Sequence, residues 1–203
     1  MIKSVVFDFG QVLVHFEPSY MVGQFVTDRD DARLLETVVF DRLYWDSLDA
    51  GTISDEDVVQ ACCMRLPERL WDVASKIYYA WIYNIPEIEG MRALLEELRE
   101  NGVPLYLLSN ISSYFATHCD EISMLSYFEK CVFSAVCGRV KPNADIFAHL
   151  CAVCGLCPEE TLFIDDSEKN IAGAEAFGIH GYRFDGDVSR LRAYLADTLG
   201  ISL

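Results

Sequence analysis

Apolar residues in this chain come in two kinds of run, and their alternation predicts the architecture. Ser4 to Phe9 is β-branched and aromatic with no helical period, the pattern of a strand buried on both faces. Val103 to Leu108, Cys131 to Ala135, Thr161 to Ile164 and Gly181 to Phe184 read the same way. Between them the period changes. Ile88, Met91, Leu94, Leu95 and Leu98 share one face of a helix that starts after Pro86 and is closed by Asn101-Gly102. Asn143 to Cys154 repeats the arrangement with Gly155 as its stop, and Ser167 to Phe177 does so again between an N-capping Ser167 and Gly178. Strands alternating with helices of this length predict βαβ units, a parallel sheet and an α/β fold.

From about Phe16 to Asn84 the rhythm breaks. No strand is predicted there, and the amphipathic patches Ala32 to Phe40, Glu56 to Leu66 and Leu70 to Tyr83 predict helices instead. The division that follows is a core of residues 1–15 and 85–203 with a helical insert, 16–84, after the first strand. The insert is rich in aromatics (Tyr44, Trp45, Trp71, Tyr78, Tyr79, Trp81), which we assign to its own packing before any stacking on a ligand.

In an open parallel sheet, ligands bind beyond the carboxyl ends of the strands, near the point where strand order reverses. The first strand ends on Asp8-Phe9-Gly10, the second on Ser109-Asn110 and the fourth on Asp165-Asp166, while Lys141-Pro142 precedes the helix after the third. A carboxylate, a hydroxyl, an ammonium and a carboxylate pair are thereby predicted on one rim.

Charge sharpens the picture. The formal net charge is −16 and no Lys/Arg cluster appears, which argues against a nucleic-acid surface. The same field repels an anionic substrate, so a local cation has to overcome it. The apolar N-terminal stretch is too short for a signal peptide and no segment is apolar enough to span a membrane, so a cytoplasmic protein is expected. Its eight cysteines, Cys151, Cys154 and Cys157 among them, are read as reduced thiols rather than as a disulfide framework or a metal site.

Val5-Val6-Phe7-Asp8-Phe9-Gly10-Gln11-Val12-Leu13, Leu107-Leu108-Ser109-Asn110, Lys141-Pro142 and Phe163-Ile164-Asp165-Asp166-Ser167, in that order, resemble the four motifs of the haloacid dehalogenase superfamily. Ile171 to Ala174 and Phe177-Gly178-Ile179 resemble its usual helix after the fourth motif, and Tyr44 to Ser54 a recurring segment of its small helical cap. The resemblance implies a Rossmann-like parallel sheet core with an inserted α-helical cap, and a Mg²⁺-dependent phosphohydrolase acting on a small phosphate monoester, sugar-phosphate-like because Asp8-Phe9-Gly10 is followed by Gln11 and an aliphatic run. It implies Asp8 as the nucleophile that becomes an aspartyl-phosphate. The metal would take Asp8, the Gly10 carbonyl and Asp166, with Asp165 behind them or bound through water. Ser109, Asn110 and Lys141 would hold the phosphate.

One position departs from the phosphatase pattern Asp-x-Asp, whose second carboxylate protonates the leaving alcohol: here it is Gly10. His15, just beyond the loop, is the candidate substitute. Two other readings stay open: a haloacid dehalogenase, whose halide leaving group needs no proton, and a binding or regulatory module that has lost turnover.

Overall fold

The computed structural model describes residues 1–203. Five strands, β1 (Ser4–Phe7), β2 (Leu105–Ser109), β3 (Lys130–Phe133), β4 (Thr161–Asp165) and β5 (His180–Arg183), form one sheet in the order β3-β2-β1-β4-β5. Every pairing is parallel. The chain starts in the middle, builds outward through β2 and β3, and returns to the other side of β1 with β4, so the order reverses beside β1. That reversal opens the crevice in which such sheets carry their chemistry.

Alternation along the strands supplies two cores. Val5, Phe7 and Leu107 join a cluster of 25 buried residues on one face, with Met91, Leu94, Leu95 and Leu98 of the helix Met91–Glu100 packed against them. Val6, Leu108 and Phe163 join 11 on the other, covered by Ile146, Phe147 and Leu150 of Ala144–Cys154 and by Ile171 and Ala174 of Glu168–Phe177. Successive side chains in a strand point to opposite faces, so one buried run feeds both layers.

Two predicted boundaries move for reasons the structure shows, and one predicted cap acts differently. The first helix of the core begins at Met91, because residues before it are drawn into pairing: Val14 bridges Glu87, and Ile88 N–H donates to the Leu13 carbonyl at 2.9 Å. Ser134 and Ala135 leave β3 for a short helix, Ser134–Cys137, closed by Gly138 in the left-handed region. Ser167 stands at the N-cap position of its helix, yet its hydroxyl makes no capping bond; its backbone N–H is engaged by Asp165 instead.

Across residues 16–84 the chain carries helices and no strand, as predicted: Pro18–Gly23, Arg29–Val39, Trp45–Asp49, Asp55–Met64 and Trp71–Ala80. They enclose a separate cluster of 11 buried residues, including Leu35, Leu48, Val58 and Ile77. The insert rests on the sheet's carboxyl end. Asp55, in the first turn of its helix, accepts the backbone N–H of Tyr114 at 3.0 Å and the Tyr78 hydroxyl at 2.9 Å. The aromatics pack on one another: Phe16 lies edge-on to Phe40, Trp45 and Trp81, and Trp81 stacks on Phe115, which meets Phe9 beside Asp8. No helix is long and apolar enough to cross a membrane.

Candidate active site

Strand register alone aligns the centre of the site. Phe7 of β1 lies opposite Leu107 of β2 and Ile164 of β4, so the next residue along each strand, Asp8, Leu108 and Asp165, forms one row across three neighbouring strands. Lys141 reaches that row from its edge. Its ammonium lies 2.7 Å from Asp8 Oδ1, 2.7 Å from Asp165 Oδ2 and 3.1 Å from the Leu108 carbonyl oxygen. A lysine has three N–H donors, and here each has an acceptor. Burial works against the charge of Lys141, but Asp8 and Asp165 outweigh it and its pKa is raised.

Two elements hold Lys141 in place. The Asn110 side chain clamps its backbone, accepting the Lys141 N–H at 2.9 Å and donating to the Lys141 carbonyl at 3.1 Å. From the other side the helix Glu168–Phe177 presses on Pro142, to which Lys141 is joined by a cis peptide. Gly173 permits this contact, since a Cβ there would stand 2.4 Å from the Pro142 carbonyl oxygen.

The two adjacent aspartates have different surroundings. Asp165 is fully buried and saturated: Oδ1 accepts the Ser167 N–H at 2.8 Å and the Asn170 amide at 3.1 Å, and Oδ2 accepts Lys141 and the same amide. Asp166 is half-buried, no other residue donates a hydrogen bond to its carboxylate, and its pKa is raised by burial and by Asp165. Asp8 is pushed up to about 7, by burial first and then by Asp165, against the pull of Lys141.

Asp8, Asp165 and Asp166 each offer a carboxylate oxygen within 4.8 Å of the others. Three carboxylates against one ammonium leave an excess of two negative charges, which one divalent cation would cancel. All the donors are hard oxygens, the set that Mg²⁺ takes, and Asp166 is the carboxylate free to bind directly. The site therefore fits Mg²⁺.

The remaining predicted residues are distributed as follows. Ser109 is buried at the end of β2. Gly10 sits in a tight return in which Gln11, at φ 58°, sends the chain back so that Val14 bridges Gly10. His15 is exposed where the chain leaves that return; its backbone N–H donates to the Pro86 carbonyl, and no hydrogen bond or ion pair joins its ring to Asp8, Lys141 or Asp165. Cys151, Cys154 and Cys157 are free thiols, and burial raises the pKa of the first two. Sequence reasoning gave no role to Asp49 of the insert, whose carboxyl is pushed up to about 6 by burial even though Lys141 lowers it.

The family model for haloacid dehalogenase-like hydrolases matches residues 2–178. The chain belongs to that family. Among curated proteins it is 27% identical over 187 residues to a sesquiterpene phosphatase of Aspergillus oryzae, covering 88% of each chain. It is 25% identical over 196 residues to a D-ribitol-5-phosphate phosphatase of Bacteroides thetaiotaomicron, covering 90% of this chain and 92% of that one. Among solved structures, a family enzyme of Bacteroides thetaiotaomicron in complex with magnesium and inorganic phosphate superposes with a TM-score of 0.69 at 22% identity, over 94% of this chain and 99% of the other. That likeness extends the fold match across the insert as well as the sheet.

Proposed function

We propose that this protein is a Mg²⁺-dependent phosphatase that hydrolyses a small phosphate monoester through an aspartyl-phosphate on Asp8. The observation that carries this reading is Lys141 bridging Asp8 and Asp165 at the strand reversal, with the carboxylate of Asp166 alongside. The phosphatases among its relatives support the reaction class. A polyol phosphate is the first substrate class to try, because one of those relatives is named for D-ribitol 5-phosphate.

Phosphoryl transfer asks little covalent help from the protein; it asks for an in-line nucleophile and for cancellation of charge on the phosphoryl oxygens. Asp8 supplies the nucleophile, fixed by Lys141 and by its own backbone N–H, which donates to the Ile164 carbonyl at 2.9 Å. Lys141 places a cation beside the oxygen that attacks, and the hydroxyl of Ser109 and the amide of Asn110 offer donors at the end of β2. Asp165 holds Lys141 and takes no part in the bond changes. Bound between Asp8, the Gly10 carbonyl and Asp166, Mg²⁺ would supply further positive charge for the phosphate oxygens.

A haloacid dehalogenase would gain nothing from three carboxylates crowded around one lysine, since like charges this close oppose ionisation of the nucleophile unless a cation sits among them. A pure binding module has no need of a nucleophile held by its neighbours. The test is a screen of phosphate monoesters with wild type and Asp8→Asn, each with Mg²⁺ and with chelator. Phosphate release should require both Asp8 and Mg²⁺. Turnover by Asp8→Asn near the wild-type rate, or halide release from a 2-haloacid assayed in parallel without metal, would overturn the reading.

A further inference from the structure

Gly10 leaves a gap in chemistry and in space. A Cβ built there meets no atom within 4 Å, so the position beside Asp8 from which a second carboxylate would protonate the leaving group is open. The insert brings a carboxyl towards this end of the sheet. Its short helix Trp45–Asp49 packs against the core helix Ser134–Cys137 that follows β3. Gly51 makes the approach close: at φ 67° it puts its Cα where a Cβ would lie 2.4 Å from the Ala135 carbonyl oxygen. That contact seats the end of the Trp45–Asp49 helix against the Ser134–Cys137 helix, at the carboxyl end of β3.

Three features of Asp49 suit a proton donor. It is half-buried, yet its carboxyl accepts no hydrogen bond and makes no ion pair, so it is not committed to structure. The cation acting on it most strongly is Lys141, the residue that grips Asp8, ahead of Arg42 in the insert itself. Asp46 on the same helix adds a negative charge, and the Ser134–Cys137 helix carries no ionisable group but Cys137. Burial first, with the Asp46 charge, outweighs the pull of Lys141 and Arg42 and keeps the proton on Asp49 to higher pH than an ordinary aspartate, in the range where a general acid is effective.

We propose that Asp49, delivered by the docked insert over the space that Gly10 leaves open, is the group that protonates the departing ester oxygen. As the bond from Asp8 to phosphorus forms and the ester P–O bond breaks, the Asp49 proton passes to the leaving oxygen and the alcohol departs neutral. In the second half the Asp49 carboxylate takes a proton from the attacking water, whose oxygen bonds to phosphorus as the Asp8 oxygen leaves. Both residues return to their starting states. The sequence could not show this, because Asp49 is separated from Asp8 by the turns of the insert and meets the site only through its docking. In this role it replaces His15.

This inference rests on the phosphatase reading, and the experiment separates the two. The rate of alcohol release in the first turnover is measured by rapid mixing for p-nitrophenyl phosphate, whose leaving group needs no proton, and for the best polyol or alkyl phosphate found in the screen. Asp49→Asn should slow the polyol or alkyl ester by about 10²- to 10⁴-fold, the usual worth of general acid catalysis, and slow p-nitrophenyl phosphate less than about tenfold. Adding Gly10→Asp to Asp49→Asn should restore at least part of the lost rate on the polyol or alkyl ester. In the wild type, release from the polyol or alkyl ester should fall as pH rises through about 6, the region in which Asp49 gives up its proton, while p-nitrophenyl phosphate lacks that limb; this profile decides the matter should Asp49→Asn fail to fold by circular dichroism. Equal loss on both esters, no loss on either, the same limb on both, or the expected selectivity in His15→Ala rather than Asp49→Asn overturns the role of Asp49. Activity that survives Asp8→Asn would instead overturn the phosphatase reading beneath it.

Discussion

Lys141 carries a structural burden as well as the chemical role proposed for it. Its side chain is almost wholly buried, and Asp165 beside it is entirely so. Removing one partner from a buried ion pair leaves an uncompensated charge and costs about 3–5 kcal/mol, whereas neutralising a carboxylate that lacks a donor costs little. Lys141→Met should therefore lose about that much stability in urea titrations, together with activity. Asp166→Asn should be neutral or mildly stabilising without metal, because it relieves repulsion from Asp165, yet it should lose the Mg²⁺-dependent rise in melting temperature that a ligand bound only to the folded state confers. If Asp166→Asn kept that rise while Asp165→Asn lost it at unchanged metal-free stability, the roles of the two aspartates would be the reverse of those assigned here.

At the scale of elements, the helix Glu168–Phe177 ties both halves of the site together: Ser167 and Asn170 at its start hold Asp165, and Gly173 in its middle lets Pro142 come close. Gly173→Ala sets two effects against each other. Alanine gains about 1 kcal/mol in helix propensity, but a methyl group 2.4 Å from the Pro142 carbonyl oxygen must push the two backbones apart, and such overpacking typically costs about 1–3 kcal/mol. We expect a net loss of stability and, because a displacement on the order of 1 Å at the chemistry can cost about 10²-fold, a fall in kcat of that order. A variant more stable than wild type with unchanged kcat would show that the helix does not position Lys141. These elements were largely legible in the sequence, because periods of two and of 3.6 residues and the stops at Gly155 and Gly178 are local signals. What escaped was non-local. The start of Met91–Glu100 depends on Glu87 and Ile88 being captured by Leu13 and Val14, and the difference between Asp165 and Asp166 depends on which of two neighbours points at Lys141, Ser167 and Asn170. The rim was readable from the residues that end each strand; the docking of Asp49 was not, since it depends on how the whole insert packs.

For the molecule as a whole, the net charge of −16 sets the approach of substrate against its chemistry. Close to Asp8 the charges balance once a divalent cation joins Lys141 and the three carboxylates, so the local site need not repel a phosphate. Beyond that radius the field is that of an acidic surface. A phosphate ester approaching in dilute buffer feels it over a Debye length of about 30 Å at 0.01 M ionic strength, against about 8 Å at 0.15 M. Electrostatic steering acts on encounter and leaves the bound complex largely unaffected. With Mg²⁺ held saturating and fixed, added KCl should therefore raise kcat/KM for a dianionic monoester and leave kcat nearly constant, the opposite of the salt response of an enzyme with a basic entrance. Substrates of lower charge should respond less. A steady decline of kcat/KM with salt would mean that Lys141 and the bound cation project an attractive field past the insert, and that the acidity of the surface does not govern how substrate arrives.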